Sequence, residues 1–193
     1  MLNLRAQVQN SSRYKDWIAV AQNFSIFLGQ EAEIQLQGLG RLDLELIWAD
    51  ANAAMLGQSK DPLEATLWSD MSYRLTLSRL WVLGAYELVR ILNEGQRLQP
   101  LEGEARQNVA RVKSNFDRIR MPLAKLEAAK KHRGTDFSVA HPIVHRSEGI
   151  GWLLSPDNFM TRRMLADSVI GLATVLATPS VWPDGVHELT APS

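Results

Sequence analysis

The chain has 193 residues, no cysteine, and 21 basic residues against 21 acidic ones. The absence of cysteine excludes a disulfide scaffold, a thiolate metal site and a cysteine nucleophile. With 46% hydrophobic residues the composition is that of a globular protein, not of a disordered chain. A net charge of zero excludes a global attraction to nucleic acid or to an anionic membrane, but it leaves room for a local basic patch.

No segment of the sequence resembles a signal peptide or a membrane span. The first ten residues are polar, and no apolar run approaches the roughly 18 residues that cross a bilayer. We therefore expect a cytoplasmic protein without membrane contact. No repeat or Gly/Ser linker is present, so we expect one domain over residues 1–193, in which 178–193 form a loosely docked tail.

Apolar residues at alternating spacings of three and four predict the helices. The first predicted helix covers residues 12–28. The second carries an apolar stripe from Leu39 to Leu56. Gly38 and Gly40 weaken its early turns, because glycine costs about 1 kcal/mol relative to alanine inside a helix. The sequence therefore allows a kink or a break near Gly38.

The third predicted helix has the clearest start signal in the chain. Asp61 can cap it and Pro62 suits its first position, while Gly95 marks its end. One apolar face runs from Trp68 to Leu92. A second apolar face predicts a central helix that is packed on both sides (Leu77, Leu80, Trp81, Gly84, Leu88 and Ile91).

The fourth predicted helix carries a stripe from Val109 to Leu126. Pro122 lies inside it, and an interior proline costs about 3 kcal/mol and kinks or divides a helix. Because the stripe continues beyond the proline, we expect a kink rather than an end.

The segment after residue 131 has a different pattern. Glycine, proline and β-branched residues predict a short β-hairpin or extended arm near 137–154. A turn follows, and Thr161 or Asp157 can cap a last helix that carries its apolar residues inward (Met160, Met164, Leu165, Val169, Leu172 and Leu176). The predicted fold is an all-α bundle of about five helices, two or three of them long and antiparallel, with that short insertion.

Few residues carry a pattern associated with catalysis. His141 and His145 have the spacing of two helical zinc ligands, but Pro142 and its β-branched neighbours predict an extended segment. In that conformation residues four apart lie about 13 Å apart, too far to share one metal. The sequence contains no G-x-S-x-G elbow, no phosphate-binding glycine loop and no Glu-x-x-His pair. We therefore expect no catalytic residue, no metal and no cofactor.

Tyr86, Glu87 and Arg90 are polar residues on the apolar third helix. Glu87 and Arg90 are three residues apart, so they can form an ion pair on one face. Charges in so apolar a setting are costly unless they are paired. We expect a buried or half-buried polar network with a structural role.

The charges are separated along the chain. Residues 111–133 hold eight basic residues and two acidic ones, and we call the eight the basic stripe (Arg111, Lys113, Arg118, Arg120, Lys125, Lys130, Lys131 and Arg133). Residues 31–64 hold seven acidic residues and two basic ones. One interpretation is an anion-binding surface for RNA or phosphate. The other is that the two charged helices neutralise each other or are simply solvated, and the lack of interleaved aromatic residues favours it.

Three segments lie within roughly residues 60–177: 80–90 (LWVLGAYELVR), 120–127 (RMPLAKLE) and 161–167 (TRRMLAD). Over that stretch they resemble bacterial proteins of the HEPN-like class. The resemblance implies a compact helical bundle, often dimeric, of the kind associated with toxin–antitoxin, phage-defence or other RNA-directed systems. Active members carry an arginine, four to six further residues and then a histidine. No arginine stands at that distance before any of the four histidines, so the resemblance implies a member that is catalytically inactive or that uses other residues.

Two functional hypotheses follow from the sequence. The first is a non-enzymatic helical interaction or regulatory module, homodimeric through its long helices. The second is an RNA-binding or RNA-cleaving protein that uses the basic stripe.

Overall fold

The computed structural model describes residues 11–56, 64–94, 101 and 103–177. The described part is mostly helical, with a small antiparallel sheet inserted before the last two helices. In chain order its elements are α1 (Ser12–Leu28), α2 (Gln30–Leu56), α3 (Glu64–Glu94), α4 (Gly103–Lys125), a 3-10 turn (Lys130–His132), β1 (His141–His145), β2 (Gly149–Ser155), β3 (Asn158–Thr161), α5 (Arg162–Ile170) and α6 (Leu172–Leu176). Within the described residues, no helix combines the length and the hydropathy that a membrane span requires.

The first helix has the predicted bounds, and local chemistry fixes both of its ends. The Oγ of Ser11 accepts a hydrogen bond from the backbone N–H of Tyr14 at 3.1 Å, which caps the N-terminus. Gly29 adopts a φ of 87° and donates its N–H to the carbonyl of Ser25 at 2.8 Å. Glycine tolerates that left-handed conformation, so the chain turns there and α2 starts after one residue.

The break near Gly38 that the sequence allows does not occur. Helix α2 begins at Gln30, eight residues before that glycine, and continues to Leu56. The physical reason is packing: a Cβ on Gly40 would lie 2.6 Å from the Cγ of Trp17. The missing side chain lets the indole lie against the α2 backbone, and burial of the Trp17 ring offsets the lower helix propensity of glycine.

Each of helices α1 to α4 packs against the next one in the chain, around an aromatic centre. Trp81 on α3 donates its indole N–H to the carbonyl of Leu39 on α2 at 2.9 Å. The Trp81 ring lies 6.0 Å from that of Trp17 and 6.4 Å from that of Phe116 on α4. The sequence predicts that the second apolar face of α3 is packed, but it is covered only in part. Trp81 is fully buried, whereas Leu80 and Gly84 are exposed.

Helix α4 continues through Pro122, as the sequence predicts, but it ends at Lys125. Leu126 adopts a φ of 57° and its side chain is 63% exposed. The predicted stripe therefore stops at Leu123, because the left-handed residue turns the chain away from the core.

The predicted extended insertion is a three-stranded antiparallel sheet of order β1–β2–β3. In the first hairpin, His141 is opposite Leu153 and His145 is opposite Gly149. The third strand was not predicted, and it takes Met160 away from the last helix.

The last predicted helix is divided in two at Gly171. Thr161 caps α5 by accepting the N–H of Met164 at 3.1 Å. Leu165, Val169, Leu172 and Leu176 are buried as expected, whereas Met164 is exposed. The start signal at Asp61 and Pro62 and the tail at 178–193 lie outside the described residues.

Candidate functional site

The basic stripe divides into paired and unpaired residues. Arg111, Lys125, Lys130 and Lys131 are exposed and form no ion pair within the described ranges. Lys113 pairs with Asp117 one turn away at 2.7 Å, and Arg133 lies 3.4 Å from Glu127. The exposed members place positive charge on α4 and on the segment that follows it.

Arg118 is held in a structural ion pair. Its Nε and Nη2 donate to the two carboxylate oxygens of Asp136, both at 2.7 Å, and the Asp136 side chain is only 3% exposed. These two hydrogen bonds lower the pKa of Asp136 and raise the pKa of Arg118. Arg118 thus ties α4 to the segment that leads into the sheet, which leaves little of it for a ligand.

Arg120 packs on Tyr86. The guanidinium carbon lies 4.8 Å from the centroid of the Tyr86 ring, which is 5% exposed. Burial, followed by the nearby Asp117 carboxylate, raises the pKa of Tyr86. Tyr86 therefore belongs to the contact between α3 and α4.

The expected network of Tyr86 with Glu87 and Arg90 is not a single buried unit. Arg90 pairs with Glu87 at 2.8 Å and with Glu94 at 2.5 Å on the surface of α3. The hydrogen bond from Arg90 to Glu87 raises the pKa of Arg90. Exposed pairs of this kind contribute little to stability, so Tyr86 is the structural member of the three.

The acidic helix α2 does not neutralise the basic stripe in the described part of the chain. Its two inward acids bind other arginines, and the five side chains form what we call the buried ion cluster (Arg13, Asp43, Asp50, Arg74 and Arg162). These arginines come from α1, α3 and α5. The two inward acids of α2 are thus compensated inside the fold by arginines that do not belong to the basic stripe.

Asp43 is the centre of the buried ion cluster. It is fully buried, and its Oδ2 accepts hydrogen bonds from Arg13 Nε at 2.7 Å and from the indole N–H of Trp17 at 3.0 Å. Its Oδ1 accepts one from Nη1 of Arg162, whose side chain is 1% exposed. Burial lowers the pKa of Arg13, but the Asp43 and Asp167 carboxylates together outweigh burial and leave that pKa raised. Buried charges persist only when they are paired in this way.

Asp50 connects the cluster to the sheet. Its Oδ1 accepts a hydrogen bond from Arg74 at 2.7 Å, and its Oδ2 accepts the backbone N–H of Ile150 at 3.3 Å. Arg162 Nη2 lies 3.7 Å from the same oxygen. A Cβ on Gly149 would lie 2.0 Å from Asp50 Oδ2, and Gly149 has a φ of 73°, so only glycine fits.

A small cleft of about 150 Å³ lies over Asp50, beside the β1–β2 turn. Ser147 and His145 face each other there, with 3.4 Å between Oγ and Nδ1, and the His145 ring stacks on Phe159. The Asp50 carboxylate in the lining is engaged by Arg74 and by the N–H of Ile150, not by the histidine. A serine and a histidine without an orienting carboxylate form a weak nucleophilic pair.

His141 and His145 lie on one extended strand, as the sequence predicts. No group of three metal-ligating side chains occurs among the residues that the structure describes. Sequence reasoning missed the buried ion cluster, although the signal was present. Asp43 and Asp50 are one heptad apart, on the helical stripe that also contains Leu36 and Gly40.

Comparison of the chain with protein-family models, with curated proteins and with solved structures gave no match.

Proposed function

We propose that this protein is a non-enzymatic helical interaction or regulatory module that acts as a homodimer. The observation that carries the proposal is the exposure of large apolar side chains on the two longest helices. On α2, Ile34 is 65% and Trp48 is 51% exposed, and on α3, Tyr73 is 63% and Leu80 is 56% exposed.

The positions of these side chains follow the helical repeat. Tyr73 and Leu80 are one heptad apart, and Ile34 and Trp48 are two heptads apart, so each pair lies along one helix face. Burial of apolar surface stabilises association by about 25 cal/mol per Å². Single exposed apolar residues are common on protein surfaces, whereas larger contiguous apolar patches mark interaction sites.

The interior charges support a structural rather than a catalytic role. The buried ion cluster joins α1, α2, α3, α5 and β2, and its two carboxylates are occupied by arginines. Catalytic acids and bases need access to a substrate. Arg162 and Asp43 are fully buried.

The oligomeric state tests the proposal. Light scattering coupled to gel filtration should give twice the chain mass of 21.6 kDa at tens of micromolar protein. If light scattering finds only the monomer at tens of micromolar protein, the homodimer proposal is contradicted.

A second candidate function is RNA binding, as the HEPN-like resemblance implies. The observation that favours it is the exposure of Arg111, Lys125, Lys130 and Lys131 without ion pairs within the described ranges. The test replaces all four by glutamine and leaves Arg118 in its structural pair.

Single-stranded RNA binding should then weaken, and the negative slope of log K, the association constant, against log salt should become smaller in magnitude by about 3. Arg90→Gln, which removes a surface charge on another helix, is the matched control. The RNA-binding function is contradicted if the fourfold variant binds RNA as tightly as the wild type does. It is also contradicted if the wild type does not bind RNA at low salt. Cleavage of the RNA by the wild type would show nuclease activity and contradict the non-enzymatic proposal.

A further inference from the structure

Five exposed residues form one continuous face of α2, on the side opposite Asp43. They are Ile34, Gly38, Arg41, Glu45 and Trp48, at successive spacings of four, three, four and three. This spacing places them along a single line over about 21 Å of helix. We call this line the outer face of α2.

Four residues of the outer face form two complementary pairs about position 43. Gly38 and Trp48 are each five positions from Asp43, and Arg41 and Glu45 are each two positions from it. When two identical helices pair antiparallel about a two-fold axis, residues at equal distances from the axis lie side by side.

We infer that the outer face of α2 is the homodimer interface, in which α2 pairs antiparallel with α2 of a second copy about an axis at position 43. This assignment rests on the proposed homodimer and names its surface and register. Trp48 then lies beside the partner's Gly38, and Arg41 lies beside the partner's Glu45, with each contact made twice.

The side chains are suited to these contacts. A Cβ at Gly38 would meet no atom within 4 Å, so the glycine leaves a notch on the surface that can receive an indole ring. Arg41 Nε donates to the hydroxyl of Tyr14 at 3.1 Å, which positions the guanidinium beside the outer face.

Charge decides the orientation of the two helices. The antiparallel arrangement pairs Arg41 with Glu45 of the second copy, whereas a parallel pair in register would set Arg41 against Arg41. The exposed face of α3 offers no such free pair: Tyr73 and Leu80 lie in line with Glu87, which is already paired with Arg90 of the same helix.

The size of the face sets the expected affinity. One helix face buries less than the roughly 1,200–2,000 Å² of a stable interface, so we expect a dissociation constant in the micromolar range.

Charge-reversal variants test the proposed register of the two α2 helices. The dissociation constant of the dimer is measured by sedimentation velocity from submicromolar to about hundred-micromolar protein. Arg41→Glu and Glu45→Arg each set like charges against each other, and each should weaken the dimer by about tenfold or more. The double variant restores opposite charges and should return the dissociation constant to near the wild-type value. Gly38→Leu fills the notch and should also weaken the dimer by about tenfold.

Glu104→Arg, a charge reversal on α4, is the matched control, and far-UV circular dichroism checks the fold of every variant. A wild type that stays monomeric overturns both the homodimer and this interface. A dimer that the single variants leave unchanged, or that the double variant fails to restore, overturns the interface while the homodimer stands.

Discussion

Asp43→Asn is the substitution that tests the buried ion cluster most directly. Asparagine has the same shape as aspartate, but it carries no charge and replaces one acceptor oxygen by an N–H₂ donor. The fully buried Asp43 accepts hydrogen bonds from Arg13, Arg162 and Trp17. The substitution therefore leaves two guanidinium groups without their shared counter-charge.

The expected loss follows from these contacts. Hydrogen bonds to charged groups contribute about 1.5–3 kcal/mol each, and removing one partner of a buried ion pair costs about 3–5 kcal/mol. We expect the free energy of unfolding to fall by about 3–5 kcal/mol, a large part of the 5–15 kcal/mol typical of a domain.

Urea denaturation followed by far-UV circular dichroism measures this difference. Asp16→Asn, which changes an exposed aspartate on α1, is the matched control and should change stability by less than about 0.5 kcal/mol. Arg162→Met should cost less than Asp43→Asn, because Asp43 keeps Arg13 and Trp17. A loss below about 1 kcal/mol for Asp43→Asn would refute the view that its charge compensates the buried arginines.

Two further predictions concern Asp136 and the α2 glycines. Arg118 lowers the pKa of Asp136, so their pair stabilises the fold above the unfolded aspartate pKa of about 3.9 and is lost as the pH falls through the lower folded pKa. Asp136→Asn should therefore reduce the free energy of unfolding by about 1–3 kcal/mol at pH 7, measured by urea titration. The difference in unfolding free energy between variant and wild type should shrink below about pH 4. If that difference grows as the pH falls, the ion pair does not stabilise the fold in this way. Gly40→Ala should lower stability by about 1–3 kcal/mol, because the new methyl group clashes with Trp17. Gly38 has open space around it, so Gly38→Ala should raise stability by up to about 1 kcal/mol. Thermal denaturation at submicromolar protein measures both effects. Equal effects of the two alanines contradict the packing role of Gly40.

The sequence pattern predicts those elements whose local signals agree with their packing. Helix α1 has an apolar stripe, a serine cap and a glycine stop, and its predicted bounds of 12–28 are confirmed. The hairpin within 137–154 is confirmed for the same reason, since Pro142 and β-branched residues favour extended backbone.

Elements that depend on distant contacts were predicted less well. The start of α2 was missed because two glycines lower helix propensity, and only the Trp17 ring on another helix shows why one of them is needed. Strand β3 has four residues, and its pairing with β2 defines it more than its own pattern does.

The residues of the candidate site, like the elements of the fold, could be predicted from the sequence only in part. The exposure of Arg111 and Lys125 agrees with the charge pattern, but the sequence alone does not show that Asp136 binds Arg118. Acidic residues on an apolar stripe, such as Asp43, are the available signal for buried partners. Which arginine reaches them depends on the tertiary fold, because Arg162 is 119 positions away.

Because of this distance along the sequence, the hydrogen bonds of Asp43 cannot all form at the same stage of synthesis. Arg13 and Trp17 precede Asp43 by only 30 and 26 positions, so the α1–α2 hairpin can satisfy this carboxylate early. Arg162 emerges 119 residues later, which at synthesis rates of about 5–20 residues per second is a delay of roughly 6–24 s. During that interval one oxygen of Asp43 lacks the donor that Arg162 supplies in the complete fold. The nascent chain therefore completes its dry interior only when its last helices arrive.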